Sequence, residues 1–269
     1  TVLLDMVGLG LIMPILPELL RELTGSDVAH ASIYGGWLFF AYALMQFFCA
    51  PIIGSLSDAF GRRPVLLLAV LGLGVDYALT SMAPSIVWLF AGRIFAGIFG
   101  ASYTTANAYI ADVTPPEERG KAFGMLGAAF GVGFVVGPAI GGLLGDLGPR
   151  VPFFVAAGLS LANFVYGLVF LPETLAPEKR RPVRLSQIHP FGAIVSIPGG
   201  KPVRTLVLSL FALFLGSAVY PAVWSFWSNA RFDWSPRIIG ISLAAYGVTN
   251  IITQAVLVGF FTKRWGEQK

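Results

Sequence analysis

Three ionisable side chains stand inside runs that are otherwise apolar: Asp5 in LLDMVGLGLI, Asp76 in LGVDYAL and Arg93 in LFAGRIFAG. A charge at bilayer depth costs about 2.5–3.5 kcal/mol on insertion scales, so such groups face a cavity or a partner. Carboxylates in that setting suit the binding and release of protons, and an arginine beside them supplies the countercharge. A plainer reading stands next to this one. Asp76 and Arg93 form a buried structural pair, and Asp5 lies near the end of its span.

A second group is GSLSDAFGRRPV, with Gly54, Asp58, Gly61, Arg62 and Arg63. Read as a loop, its glycines permit a tight turn and close helix approach. Asp58 can bond to the N-terminus of a neighbouring helix. Arg62 and Arg63 fit a membrane surface, and surface anchoring alone explains Arg63 but not the whole spacing. Arg93, Gly97 and Ala101 recur every four residues, placing small residues on the arginine's face of a helix. GFVVGPAIGG, with Gly133, Gly137, Pro138 and Gly141, is a small-residue packing seam, with a bend expected at the proline.

These residues need long apolar elements to hold them. The chain has 269 residues, 56% hydrophobic and only 12% charged. That composition excludes disorder and argues against a soluble enzyme or a nucleic-acid module. Cys49 is the single cysteine, and no Cys/His spacing suits a metal. His30 and His189 fall in loops with no catalytic constellation around them. A bilayer core of about 30 Å needs about 20 apolar helical residues. Eight such runs lie near 1–20, 32–53, 64–83, 86–111, 122–144, 151–171, 204–227 and 238–261. They are continuous rather than alternating, which predicts helices.

Thirteen of the 18 Lys and Arg residues fall in the connections after spans two, four, six and eight. The positive-inside rule puts those connections, and the start of the chain, in the cytoplasm. GSLSDAFGRR after span two and GFFTKRWGEQ after span eight share glycines seven apart, which suggests a repeat of six spans. The predicted domains are a six-span bundle over 1–172, a basic linker over 173–203 and two spans of a second bundle over 204–269. On that expectation the chain is a fragment and does not transport alone.

Residues 54–63, the Arg93 segment and GFVVGPAIGG resemble, in order and spacing, motifs of the major facilitator superfamily. LLDMVGLGLIMPILPELL, DYALTS, GRIFAGIFGASYTTANAYIAD and VPFFVAAG resemble its tetracycline and multidrug resistance branch. The resemblance covers the whole chain and is densest before residue 175. It implies an all-α membrane protein: an N-terminal six-helix bundle plus the first two helices of a C-terminal one. It implies an antiporter of the bacterial inner membrane that exchanges protons for lipophilic drugs. By the same resemblance Asp5, Asp76 and Arg93 couple proton and substrate. Gly54, Asp58, Gly61, Arg62 and Arg63 form a gating loop, and Gln46, Asn107, Asn250 and Gln254 line the substrate cavity.

The expected partners are a small lipophilic substrate (which can be a drug–divalent cation complex), the proton and the lipid bilayer. No nucleic acid, resident metal or cofactor is expected, and the full-length protein is expected to be a monomer. Two departures bear on the substrate. Ala59 stands where the family has a basic residue. Asn250 stands where tetracycline pumps carry a histidine, and it cannot titrate. The alternative is a sugar or metabolite transporter of the same superfamily.

Overall fold

The protein is described by a computed structural model covering residues 1–100, 102–183 and 201–253. Gln254, His189 and the second GFFTKRWGEQ segment lie outside the described residues. Among the described residues the chain is α-helical, with two single-turn 3₁₀ segments.

The first apolar run is two helices rather than one continuous helix. α1 (Val2–Ile12) and α2 (Leu16–Thr24) meet at an angle of 50°. Pro14 and Pro17 explain the break, because neither can donate to the helix ladder and each crowds the preceding turn. Gly25, at φ 63°, ends α2 in the left-handed conformation.

α3 (Val28–Phe60) starts where Asp27 caps it, accepting from the His30 N–H at 3.0 Å. His30 therefore belongs to a first helical turn, not to a loop. At 33 residues α3 is about 50 Å long, well beyond the bilayer core. The helix runs through Pro51 at the end of the apolar run and carries Gly54–Phe60 as helix. α4 (Arg62–Ser81) begins after one residue, Gly61, at φ 106°. Gly54, Asp58, Arg62 and Arg63 thus belong to two helix ends meeting at Gly61, which corrects the expectation of a loop.

α5 (Ile86–Phe99) and α6 (Ser102–Val113) form one span over Ile86–Val113. After a 3₁₀ turn come α7 (Arg119–Gly145) and α8 (Val151–Phe170). Pro138 lies inside α7, whose helix runs through it. α9 (Lys201–Phe232) and α10 (Pro236–Ile252) complete the described chain. Among the described residues, six helical stretches are long and apolar enough to cross a membrane, and α1 with α2 makes a seventh when the bent pair is counted as one span. α10, at 17 residues, is shorter.

The glycines of α7 serve two faces. A Cβ on Gly137 would lie 2.7 Å from the Gly10 Cα, and Gly133 and Gly141 press equally closely on Met6 and Leu11 of α1. One residue on, a Cβ on Gly142 would lie 2.5 Å from the Pro236 carbonyl of α10, and Gly240 in turn abuts the Pro138 carbonyl. Small residues let backbones approach where no hydrophobic effect drives helices together. α7 therefore joins the six-span bundle to the helices that follow it. α4 and α8 pack along each other, with Leu67 of α4 filling the space beside Gly167 of α8.

Candidate functional site

Inside the bundle, Arg93 of α5 donates from Nη2 to Asp76 Oδ2 of α4 at 2.8 Å. The Asp76 side chain is fully buried and Arg93 is 15% exposed. Their 17-residue separation brackets the turn between α4 and α5, so the hairpin brings them level. The other carboxyl oxygen of Asp76 faces Gly92 and Thr80, and a Cβ on Gly92 would lie 2.8 Å from it. Gly92 was not foreseen, although it precedes the arginine directly. Gly97 lets α5 approach α3, since its Cβ would sit 2.6 Å from the Met45 Cβ. Ala101 lies outside the described residues.

A cavity of about 120 Å³ opens beside the pair, lined by Arg93, Thr80, Tyr42 and apolar side chains that include Met13, Leu38 and Phe153. It is below the roughly 300–1,000 Å³ of drug-sized pockets. None of Gln46, Asn107 and Asn250 lines it. Gln46 instead donates to the Gly100 carbonyl at 2.9 Å and reaches the Tyr42 hydroxyl at 3.3 Å, tying α3 to the end of α5. Asn107 and Asn250 are half-buried on α6 and α10.

Asp5 is partnered from another helix. It is 5% exposed and accepts from Asn163 Nδ2 of α8 at 3.0 Å. Asn163 is wholly buried and also donates to the Thr1 carbonyl at 3.1 Å. Asp5 thus has a partner on α8, while Asp76 pairs with Arg93 across the α4–α5 hairpin. Asn163 carried no signal in the sequence beyond being a polar residue in an apolar run.

At the basic end, Arg62 is the hub. Its guanidinium pairs with Asp58 of α3, bonds Asp112 of α6 at 3.0 Å, and donates to Ser57 Oγ at 2.7 Å. Ser57 is fully buried and donates in turn to the Gly54 carbonyl at 2.8 Å. Arg63 donates to the Leu168 carbonyl at 2.7 Å, near the C-terminus of α8, where a cation is favoured. Asp112 was missed because it is 50 residues from Arg62 and looks like an ordinary acid at a helix end.

Glu173, just beyond α8, was also missed. Its carboxylate accepts from the Arg62 N–H at 2.9 Å and the Arg63 N–H at 3.3 Å. Burial pushes Glu173 up, but backbone donors at Leu175, Arg62, Thr174 and Arg63 outweigh it and hold the carboxyl below the usual range. The opposite end of α4 has a matching cation. Arg150, just before α8, donates to the Ser81 and Ala83 carbonyls at 3.0 and 2.9 Å and bonds Glu22 of α2 at 3.1 Å. No group of three or more His, Cys, Asp or Glu residues suited to a metal occurs among the described residues.

Known proteins fit this architecture. The chain is 46% identical over 269 residues to the class C tetracycline resistance protein of Escherichia coli, covering all of this chain and 67% of that one. It is 28% identical over 268 residues to multidrug resistance protein 2 of Bacillus subtilis, covering 98% of this chain and 65% of that protein. The crystal structure of the human organic anion transporter MFSD10 superposes with a TM-score of 0.75 at 27% identity, covering 95% of this chain and 69% of that one. The chain spans about two thirds of the length of the curated relatives it matches. The Major Facilitator Superfamily model matches residues 1–269, and the chain belongs to that superfamily of membrane transporters, not to an enzyme family.

Proposed function

We propose that the protein of which this chain is part exports tetracycline-like or other lipophilic drugs in exchange for protons. The observation that carries this reading is the Asp76–Arg93 ion pair, buried in an apolar bundle next to a small cavity. The tetracycline and multidrug resistance relatives support the drug class.

An ion pair in this setting is a natural exchange site. A proton arriving at Asp76 removes the carboxylate charge and releases Arg93 from its partner. Loss of that proton restores the pair. The drug, alone or as its divalent cation complex, competes for the charged state, so proton entry and drug exit alternate. Alternating access follows from rocking of the bundle 1–172 against the bundle that starts at 204, about the α7–α10 seam. The cavity beside Arg93 suits water and protons. The drug path is assigned to the face between bundles, where Asn107, Asn250 and Gln254 are expected. Gln46, already bonded to Gly100, positions α5 instead. The basic end is placed in the cytoplasm, so the Arg62 cluster closes or opens the inner side. The full-length protein acts as a monomer in the bacterial inner membrane.

The test is the drug-susceptibility profile of a pump-deficient bacterium carrying the full-length gene, beside an Asp76→Asn variant made in equal amount. Tetracycline resistance that the variant loses supports the reading in full. Resistance to other lipophilic compounds alone removes tetracycline as substrate and is the outcome expected if a titrating group is needed where Asn250 stands. No resistance to any drug overturns export and points to a metabolite transporter.

A further inference from the structure

We propose that Glu173 is a positioning residue for the Arg62 cluster, and that it makes the segment after α8 part of the gate. The proposal rests on the export reading for its transport consequence, and on geometry alone for its mechanism. Glu173 touches neither Asp58 nor Asp112 by hydrogen bond. It acts on the backbone from which Arg62 projects.

The geometry has four parts. First, the Glu173 carboxylate takes the place of a side-chain N-cap for α4. It accepts from the Arg62 and Arg63 amides, two donors that no α4 residue can satisfy. Secondly, it holds its own loop in shape, since Oε1 also accepts from the Thr174 and Leu175 amides at 2.9 and 3.0 Å. Thirdly, it occupies the space where a Cβ at residue 61 would lie, so Gly61 is required by φ and by this carboxylate together. Fourthly, neighbouring contacts fasten the same segment to the same helices. The Tyr109 hydroxyl of α6 donates to the Pro172 carbonyl at 3.0 Å, the Arg181 N–H donates to the Asp58 carbonyl at 3.0 Å, and Leu175 is buried.

Residues 172–181 therefore run over the junction of α3, α4 and α6, the three helices that the Arg62 guanidinium joins. A change in the path of this segment alters the backbone at Arg62 before it alters any side-chain ion pair. Removing the carboxylate frees the first turn of α4, and Arg62 loses its fixed direction toward Asp58 and Asp112.

The experiment uses the full-length protein, purified and in vesicles, in two arms. In the first, thermal unfolding is followed for Glu173→Ala, Asp112→Ala and the double variant. Action through Arg62 predicts a non-additive double variant, because the two residues then share one partner. Strictly additive shifts overturn the proposal, since a merely local cap would add. In the second, proton-driven uptake of tetracycline and of the lipophilic dye ethidium is measured in inverted vesicles. Glu173→Ala lowers the maximal rate about tenfold and leaves KM within about twofold, because the gate and not the drug site is altered. Glu173→Asp recovers part of the rate, and Glu117→Ala, exposed in the 3₁₀ turn before α7, changes neither value. An unchanged rate in Glu173→Ala, or a rise in KM alone, overturns the proposal. Wild-type vesicles that move no drug overturn the export reading instead, and the unfolding cycle still decides the role of Glu173.

Discussion

The Arg62 cluster and the Arg93 pair use the same two residue types in opposite settings. Arg62 sits at the basic end with two carboxylates, a hydroxyl and a capped backbone, and Asp58 is 42% exposed to water. Arg93 sits within the bundle with one carboxylate, whose side chain is fully buried. Arg62 is itself only 11% exposed, but its carboxylates are partly open to water, Asp112 at 27% and Asp58 at 42%, so water and salt compete for them. In the interior, the partners have already lost their water, so removing one leaves an uncompensated charge. The first arrangement suits a contact made and broken as helices move. The second suits a switch thrown by a single proton.

This contrast can be broken by mutation. The largest effect is expected for Arg93→Ala, which strands Asp76 in the bundle and costs about 3–5 kcal/mol of stability, measured by unfolding in detergent. An equal cost for Arg62→Ala would erase the distinction. Gly92→Ala comes next. Its Cβ would meet Asp76 Oδ1 at 2.8 Å, and overpacking of this kind costs about 1–3 kcal/mol. The same measurement checks it, and no loss would mean that α4 and α5 separate easily.

Arg62→Ala should cost about 1 kcal/mol, and the cost should shrink in 1 M salt, where the Debye length falls to about 3 Å. The Arg93→Ala cost should hold at both salt concentrations. The smallest effect is the pH dependence of Glu173→Gln. The wild-type carboxyl is held below its usual range, so its contribution is complete above the ordinary value of 4.5 and fades as pH falls through the lowered one. The melting temperatures of the two proteins should differ at pH 7 and converge only after pH has fallen past the ordinary value of 4.5. Convergence already at pH 6 would show that the carboxylate is not held by the backbone donors.

The long apolar runs made the spans readable, since bilayer thickness fixes their length. Asp76 and Arg93 were also readable as a pair, because a short turn joins their two spans and each stands about two turns from it. The Arg62 partners were not. Asp112 and Glu173 come from chain segments 50 and 111 residues away, and neither differs in type from any acid near a membrane surface. Asn163 is 158 residues from Asp5. The seam at Gly133, Gly137 and Gly141 was expected, but adjacent glycines facing two different helices are invisible without knowing both neighbours.

Composition and hydropathy by themselves determined a helical membrane protein, its span order and the charges that needed partners, because desolvation acts on each residue wherever the chain goes. Apart from the Asp76–Arg93 pair, tertiary structure decided who those partners are. It carried α3 through the expected loop, gave Asp5 a partner on α8 and brought Glu173 onto the first turn of α4. Those outcomes depend on which helices lie side by side, and a hydrogen bond of about 3 Å is set by packing rather than by distance along the chain.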